Sequence, residues 1–368
     1  MTMPSAPARI RLDLAALRHN LTVLREQVAP AKVGAVVKAD AYGLGVGTIV
    51  PALWAEGVRA FFVARLFEGI KLRALLMDLD PDETKGPCEI FVLDGCSERD
   101  GTPLVKARLT PVLSSPEQIR AFLPHARTAG LPLSLHIDTG MNRLGLDYKQ
   151  AKAIPALLEG QPVAWVMSHL ACASEPEHPL NALQQVRFEA LKPLFPEARF
   201  SLANSGGCFL GADYHQDLVR PGIALYGGGP FEVPHPELKP VVHLEARVLQ
   251  VREIPPQDTV GYGATFRADQ PHQSATLGIG YADGLFRSLG AQGLAARGTD
   301  RFAFMGRISM DLCSLDVTNA RPPVVAGDWI ELIGENRPLD DVAHDCGTLA
   351  YELLTRLSPR LPRLIEDA

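Results

Sequence analysis

The sequence predicts an α/β protein: an N-terminal (β/α)8 barrel of the TIM type over residues 9–235, followed by a C-terminal mainly-β domain over residues 241–368. Eight short apolar runs recur between the lysine-bearing stretch at Val33 and the run ending at Leu225, with helical text between most of them. Several of those runs end in a polar residue (Lys38, Arg65, Asp138, His169, Ser205), and in a barrel such strand ends converge on one mouth. An open doubly wound sheet is the alternative architecture. The text then changes character across Pro230, Pro234, Pro236 and Pro240, which read as a linker before a β-rich remainder.

In order, Arg9 onward reads as a strand, and Asp13 caps a helix in which Leu14, Leu17, Leu21, Leu24 and Val28 recur at helical spacing until Pro30 stops it. Val33-Gly-Ala-Val-Val-Lys38 reads as an interior parallel strand that delivers one lysine to its end and breaks into glycines. A helix from about Thr48 faces Ile49, Leu53, Trp54 and Val58 inward, and a strand runs from Ala60 to Arg65. Phe67 to Met77 is amphipathic, Asp78 to Glu83 looks like a solvated acidic loop, and Glu89 to Asp94 and Thr110 to Leu113 are apolar runs. Ser115-Pro116 is an N-cap and N1 pair for a helix carrying Ile119, Phe122 and Leu123. Further runs lie at Leu131–Asp138, Val163–His169, Arg199–Ser205 and Leu218–Leu225. Past Val241, strands are expected at Leu244–Arg252, Ser274–Gly280, Phe302–Met305 and Trp329–Ile333, with one helical stretch from Leu339 to Leu357.

Composition narrows the function classes. A formal charge of −6 with no basic stripe argues against a nucleic-acid surface. No apolar stretch is long enough to span a membrane, and Met1 to Arg9 lacks a signal core, so a cytoplasmic protein is expected. Six cysteines without C-x-x-C pairing are expected as reduced thiols, and no metal is expected.

A strand-end lysine is by itself more often a solvent-facing gatekeeper than a catalyst. In a partly apolar mouth, however, Lys38 would have its charged form disfavoured, and a neutral amine can form a Schiff base with an aldehyde cofactor such as pyridoxal 5'-phosphate. Asn204-Ser205-Gly206-Gly207 and Arg220-Pro221-Gly222-Ile223 could supply donors to a phosphate on late strands, although each is also ordinary turn text. Gly261-Tyr262-Gly263 presents a tyrosine on a turn, for contact or for surface packing. His169 and Arg143 are ambiguous alone, and Asp138 could simply cap the next turn.

Taken with Gly306-Arg-Ile-Ser-Met-Asp311 and Val36-Val-Lys-Ala-Asp-Ala-Tyr-Gly-Leu-Gly45, these motifs make the chain resemble the pyridoxal-phosphate-dependent alanine racemases from about Arg9 to Arg363. The resemblance implies interconversion of L- and D-alanine, with Lys38 holding the cofactor as an internal aldimine and serving as the base for the D-enantiomer. Tyr262 would serve the L-enantiomer from the opposite face. It further implies a head-to-tail homodimer in which Tyr262, Met310 and Asp311 reach the partner's barrel mouth, and a D-alanine supply for peptidoglycan. Tyr42, Ser205, Gly222, Ile223 and Tyr351 match phosphate-contacting positions, and Asn204 stands with that set. Arg220 matches the residue facing the pyridine nitrogen, and His169 belongs to the cofactor-binding set as the group that orients the tyrosine. Arg143 and Met310 would engage the substrate carboxylate, Tyr281 would narrow the entrance, and Asp311 stands with them in the substrate-binding set.

Two positions depart from the family pattern. His136 stands where many members carry a lysine modified to a carbamate that positions the substrate arginine; histidine has no primary amine for it, so another group must orient Arg143. Ser201 replaces a histidine that often supports the pyridine-facing arginine. A broad-specificity or serine racemase, a decarboxylase of the same architecture, and a non-catalytic pyridoxal-phosphate carrier are the alternatives. The carriers lack a second domain, so residues 241–368 count against the last.

Overall fold

The structure is a computed structural model that describes residues 6–82 and 84–367. The signal-core reading at Met1–Ser5 and the last residue of the acidic stretch, Glu83, lie outside them. By its contacts the chain divides into two units: Leu21–Leu225, and the chain up to Asn20 together with the chain from Tyr226 onward.

The first unit is a ring of parallel strands. After β1 (Ala8–Asp13), which belongs to the other unit, come β2 (Lys32–Val33), β3 (Ala35–Val36), β4 (Ala60–Val63), β5 (Glu89–Val92), β6 (Thr110–Leu113), β7 (Leu133–His136), β8 (Val163–Met167), β9 (Arg199–Ser201) and β10 (Leu218–Val219). Strands β3 to β9 pair in sequence order, all parallel. The ring closes through β10, which pairs with β2 on one side and on the other donates from Asp217 to Phe200 and from Arg220 to Ala203. Ala60-Phe-Phe-Val63 is buried at every position, as expected of a parallel strand covered on both faces. Phe62 and Phe91 stack with centroids 4.6 Å apart, and Phe91 meets Trp165 edge-on at 5.8 Å.

Helices form where caps and apolar spacing agree. Asp13 accepts from the Ala16 amide at the start of the helix Leu14–Val28, and Ser115 accepts from Gln118 ahead of Pro116–Ala129. The acidic stretch is less open than its composition predicts: Asp78 lies in the helix Leu66–Leu79, and Asp80 is buried while accepting from Thr84 and Lys85. The last barrel run is also shorter than expected, since after β10 the chain turns at Pro221-Gly222 into a 3-10 turn, Ile223–Tyr226.

The second unit is built on β11 (Val242–Ile254), whose thirteen residues pair with β1, with β14 (His272–Leu277) and with β18 (Trp329–Ile333). Residues 9–20, which the sequence places with the barrel, join this unit because β1 lies between β11 and β19 (Arg363–Glu366). Between β11 and β14, β12 (Thr259–Val260) and β13 (Phe266–Arg267) form a small hairpin; β15 (Leu294–Arg297), β16 (Asp300–Ala303) and β17 (Cys313–Asp316) complete the sheets. The C-terminal helical stretch is two helices, Leu339–Cys346 and Ala350–Thr355, separated at Gly347 with its positive φ of 69°. Among the described residues, no helix is long and apolar enough to cross a membrane.

Candidate active site

Lys38 follows β3 by two residues and opens not a glycine loop but a left-handed turn. Ala39, Asp40, Ala41 and Tyr42 have φ values of 53°, 56°, 53° and 57°. For L-residues this conformation costs roughly 1–2 kcal/mol each, so other groups must impose it. The carboxylate of Glu68 accepts from the Ala39 amide at 2.6 Å and from the Ala64 and Arg65 amides at 2.8 and 2.9 Å. Asp40 accepts from the Val46 amide at 2.8 Å, closing the far side. The turn carries Tyr42 into the interior, where its hydroxyl stands against Gly222 so closely that a methyl group there would collide with it.

Gly222 begins the 3-10 turn after β10, and Ser205 lies just past β9. The Ser205 hydroxyl accepts from the Gly222 amide at 3.0 Å and from the Ala224 amide at 3.3 Å. With both acceptor sites engaged, its proton is left to donate, which suits an anion. Asn204 turns its carbonyl back to accept from the Gly207 amide at 3.0 Å, so that oxygen caps the turn. Ile223 is buried beside this cradle.

Arg220 is buried at the ring's closing strand. It donates to the Ser201 hydroxyl and the Ser168 carbonyl, both at 2.5 Å, and to the Leu202 carbonyl at 3.2 Å. Ser201 therefore supplies the support expected of a histidine in that place, its hydroxyl in turn donating to the Leu218 carbonyl. Burial draws the Arg220 guanidinium down to about 10, which leaves it charged near neutrality. His169 approaches it at 3.4 Å through Nδ1. Burial, and then the charges of Arg220 and Arg143, hold His169 well below the usual imidazole range, so it stands neutral and can accept.

The same electrostatics shape the rest of the mouth. Lys38 is half-buried and its amine is lowered, first by burial and second by Arg143, against the opposing pull of Glu68 and Asp94. His136 is lowered to about 4 by burial and then by Arg220. It is neutral near pH 7 and supplies no negative charge to Arg143. Among the described residues, Arg143 makes neither an ion pair nor a hydrogen bond. The loop that bears Arg143 is held by Asp138, which accepts from the Gly140 and Met141 amides at 3.0 and 2.9 Å. Buried Gln184 braces it further, donating to the Thr139 hydroxyl and the His169 carbonyl.

The mouth thus collects fixed cations and neutralised bases around a hydroxyl-and-amide cradle. Pyridoxal phosphate fits these residues: the Ser205 proton, the Tyr42 hydroxyl and the Gly222–Ile223 turn suit its phosphate, and a lowered lysine amine suits its aldehyde. Arg65, another polar strand end, caps a helix instead and pairs with Asp94 at 3.5 Å.

The remaining expected residues lie in the second unit. Tyr262 stands on a 3-10 turn between Gly261 and Gly263, both at positive φ, and is 72% exposed. Tyr281 and Met310 are also exposed, on loops joined by hydrogen bonds from the Tyr281 and Ala282 amides to the Ser309 and Met310 carbonyls. Asp311 accepts from Arg360 at 2.7 Å. Tyr351, at the start of the helix Ala350–Thr355, has its phenol raised to about 12 by burial and then by Glu232 and Asp340. Glu68, Gln184 and Arg360 were not apparent in the sequence, where a charged or amide residue on a helix or loop carries no sign of a distant partner.

Comparison with known proteins agrees along the whole chain. Residues 12–230 match the model for the alanine racemase N-terminal domain, and residues 241–365 match the model for its C-terminal domain. A catabolic alanine racemase of Agrobacterium fabrum is 43% identical over 365 residues, covering 97% of this chain and 92% of the relative. An alanine racemase of Rhizobium meliloti is 43% identical over 375 residues, covering 98% and 97%. The crystal structure of the Bartonella henselae alanine racemase with covalently bound pyridoxal phosphate superposes with a TM-score of 0.90 at 37% identity, covering 98% of this chain and 100% of that one. With both domain models matched and relatives of this identity aligned nearly end to end, the chain belongs to the alanine racemase family.

Proposed function

We propose that the protein interconverts L-alanine and D-alanine with pyridoxal phosphate held in the barrel mouth, and that its working unit is a head-to-tail homodimer. The observation that carries this reading is the Lys38 amine, its proton affinity lowered by burial and then by Arg143, in the same mouth as a cradle suited to a phosphate. Residues 9–235 would hold the cofactor, through Lys38, Tyr42, Asn204, Ser205, Gly222 and Ile223, with Tyr351 completing the set. Residues 241–368 would supply the second base to the partner.

Bound there, pyridoxal phosphate supplies the electron sink that makes the Cα proton of an amino acid removable. Lys38 takes or returns that proton on one face, and the partner subunit's Tyr262 does so on the other; one group per face is the simplest way to invert a carbon. Arg220 is a donor only, so facing the ring nitrogen of the bound cofactor it would leave that nitrogen unprotonated and would moderate the sink. His169, neutral, orients the tyrosine. Arg143 receives the substrate carboxylate with the partner subunit's Met310, Tyr281 narrows the entrance, and the partner subunit's Asp311 joins the substrate-binding set. Excluding water from this mouth strengthens each of these charge interactions.

D-alanine made in the cytoplasm would serve peptidoglycan. The Agrobacterium fabrum relative is named catabolic, and that favours D-alanine breakdown as the second reading. The test is chiral chromatography of purified protein incubated with L-alanine in deuterated water, with serine, lysine and arginine in parallel. D-alanine carrying deuterium at Cα is the expected product. Its absence, or faster turnover of another amino acid, would overturn the assignment.

A further inference from the structure

Arg360 lies in the turn between the helix Ala350–Thr355 and β19, and its guanidinium joins carboxylates from two different loops. Nε donates to Asp283 Oδ1 at 2.6 Å, and Nη2 donates to Asp311 Oδ1 at 2.7 Å. Asp283 is buried and uses its other oxygen to accept from the Gly280 amide at 2.9 Å, closing the turn Tyr281–Asp283. Its carbonyl accepts from the Ser358 amide at 3.0 Å, so the turn is tied twice to the segment that carries Arg360. The turn is tied in the same way to the loop beside it, since the Tyr281 and Ala282 amides donate to the Ser309 and Met310 carbonyls, each at 3.0 Å. A methyl group on Gly280 would collide with the Met310 carbonyl, so the two backbones touch.

An exposed arginine paired with one carboxylate contributes little to stability. One guanidinium forked between two carboxylates does something else: its rigid plane sets the distance and angle between the two loops. Tyr281 and Met310 stand on those loops with 44% and 54% of their surface exposed. They are fixed at the backbone and open at the side chain, the arrangement needed for residues that meet an incoming molecule.

We propose that Arg360 is a positioning residue: by bridging Asp283 and Asp311 it holds Tyr281 and Met310 as one preorganised rim of the substrate entrance. The role at the entrance rests on the racemase reading above; the clamp stands on geometry within the second unit. Tyr262 sits on the β12–β13 hairpin, which among the described residues packs on Gly306 and Arg307 and not on the Arg360 clamp itself, so loosening the rim weakens substrate capture more than proton delivery.

The test uses the full-length holoenzyme and its R360M and R360K variants. In R360M the KM for both alanine enantiomers rises by about fivefold to tenfold while kcat stays within about twofold, the pattern of lost ground-state binding. Hydrogen exchange at the Tyr281 and Ala282 amides quickens by about tenfold in R360M, with the rest of the second unit and the melting temperature unchanged. R360K retains the charge without the fork and falls between wild type and R360M in both readouts. Unchanged exchange at Tyr281 and Ala282 would overturn the clamp whatever the activity does. Faster exchange with an unchanged KM would overturn its role at the entrance. A lowered melting temperature with exchange raised across the whole unit would make Arg360 a general folding residue and overturn the proposal. If wild-type protein does not racemise alanine, the racemase reading fails while the exchange measurement still decides the clamp.

Discussion

Lys38 and Tyr262 occupy opposite kinds of environment, and the chemistry asked of each follows from that. The lysine sits half-buried among Arg143, Glu68 and Asp94 with its amine lowered; the tyrosine stands 72% exposed on a turn bounded by glycines. If the Lys38 amine binds the cofactor as proposed, a methyl group cannot replace it, so Lys38→Ala is expected to lose both activity and the visible absorbance of the bound cofactor. Tyr262→Phe keeps the ring and the turn but removes the exchangeable proton. Racemisation should fall by roughly 10²- to 10⁴-fold, the usual contribution of a positioned acid or base, with cofactor absorbance retained. Chiral product analysis of the variant measures this, and near wild-type racemisation would remove Tyr262 from the mechanism. Both residues could be found in the sequence because each sits in a distinctive local context, a lysine after a buried apolar run and a tyrosine between glycines. The direction of the lysine's shift could be expected from an apolar mouth, but the share that Arg143 has in it could not, since Arg143 lies more than a hundred residues away in the chain.

Among the elements, the left-handed turn from Ala39 to Tyr42 and the β12–β13 hairpin present these two side chains, and each depends on an acid that local sequence does not single out. Glu68 accepts three amides, one of them from the turn. Glu68→Ala would leave them without that acceptor and cost about 1–3 kcal/mol. A lowered urea midpoint, with faster hydrogen exchange from Ala39 to Gly43, is the expected result. The hairpin is braced through Phe266, which meets the His272 ring edge-on at 5.4 Å. His272 bonds to Asp269 at 3.0 Å and to Asp316 at 2.9 Å, and these carboxylates, Asp269 foremost, raise it above its ordinary value. A raised imidazole favours the protonated form in the folded state. Its contribution is therefore complete below the unfolded value of about 6.5 and is lost as pH rises through the higher folded value. Melting curves of wild type and His272→Gln across that range should differ most on the acid side. A difference that does not vary with pH would show that the ring acts by packing alone.

At the scale of the whole molecule, the two units carry complementary sets: Lys38, Tyr42, Arg143, Ser205 and Arg220 in one, and Tyr262, Tyr281, Met310 and Asp311 in the other. If the partner supplies the second set, activity must depend on association. Specific activity on dilution should fall with the same midpoint as the dimer-to-monomer transition seen by analytical ultracentrifugation, and mixing inactive Lys38→Ala with inactive Tyr262→Phe protein should restore activity through hybrid dimers with one intact site. Failure of the mixture to regain activity while hybrids form would refute shared sites.

The order of the barrel strands, most helix starts and the β-rich second unit could be read from residue order, because apolar periodicity, caps and prolines act over a few residues. The sequence also marked Lys38, Tyr262 and the two phosphate-suited turns, whose glycines and polar strand ends are local features. The folded arrangement was needed to show that the chain's first strand belongs with its last, through pairing of β1 with β11 and β19. It alone placed four non-glycine residues of the lysine turn in the left-handed region and made Ser201 the support for Arg220. It alone joined Asp283 to Asp311 through Arg360. Each of these depends on groups distant in the chain meeting at hydrogen-bond range. Burial and charge at such meetings lower the proton affinity of Lys38, His136 and His169, and the distant arginines that share in this carry no sign of it in their local sequence.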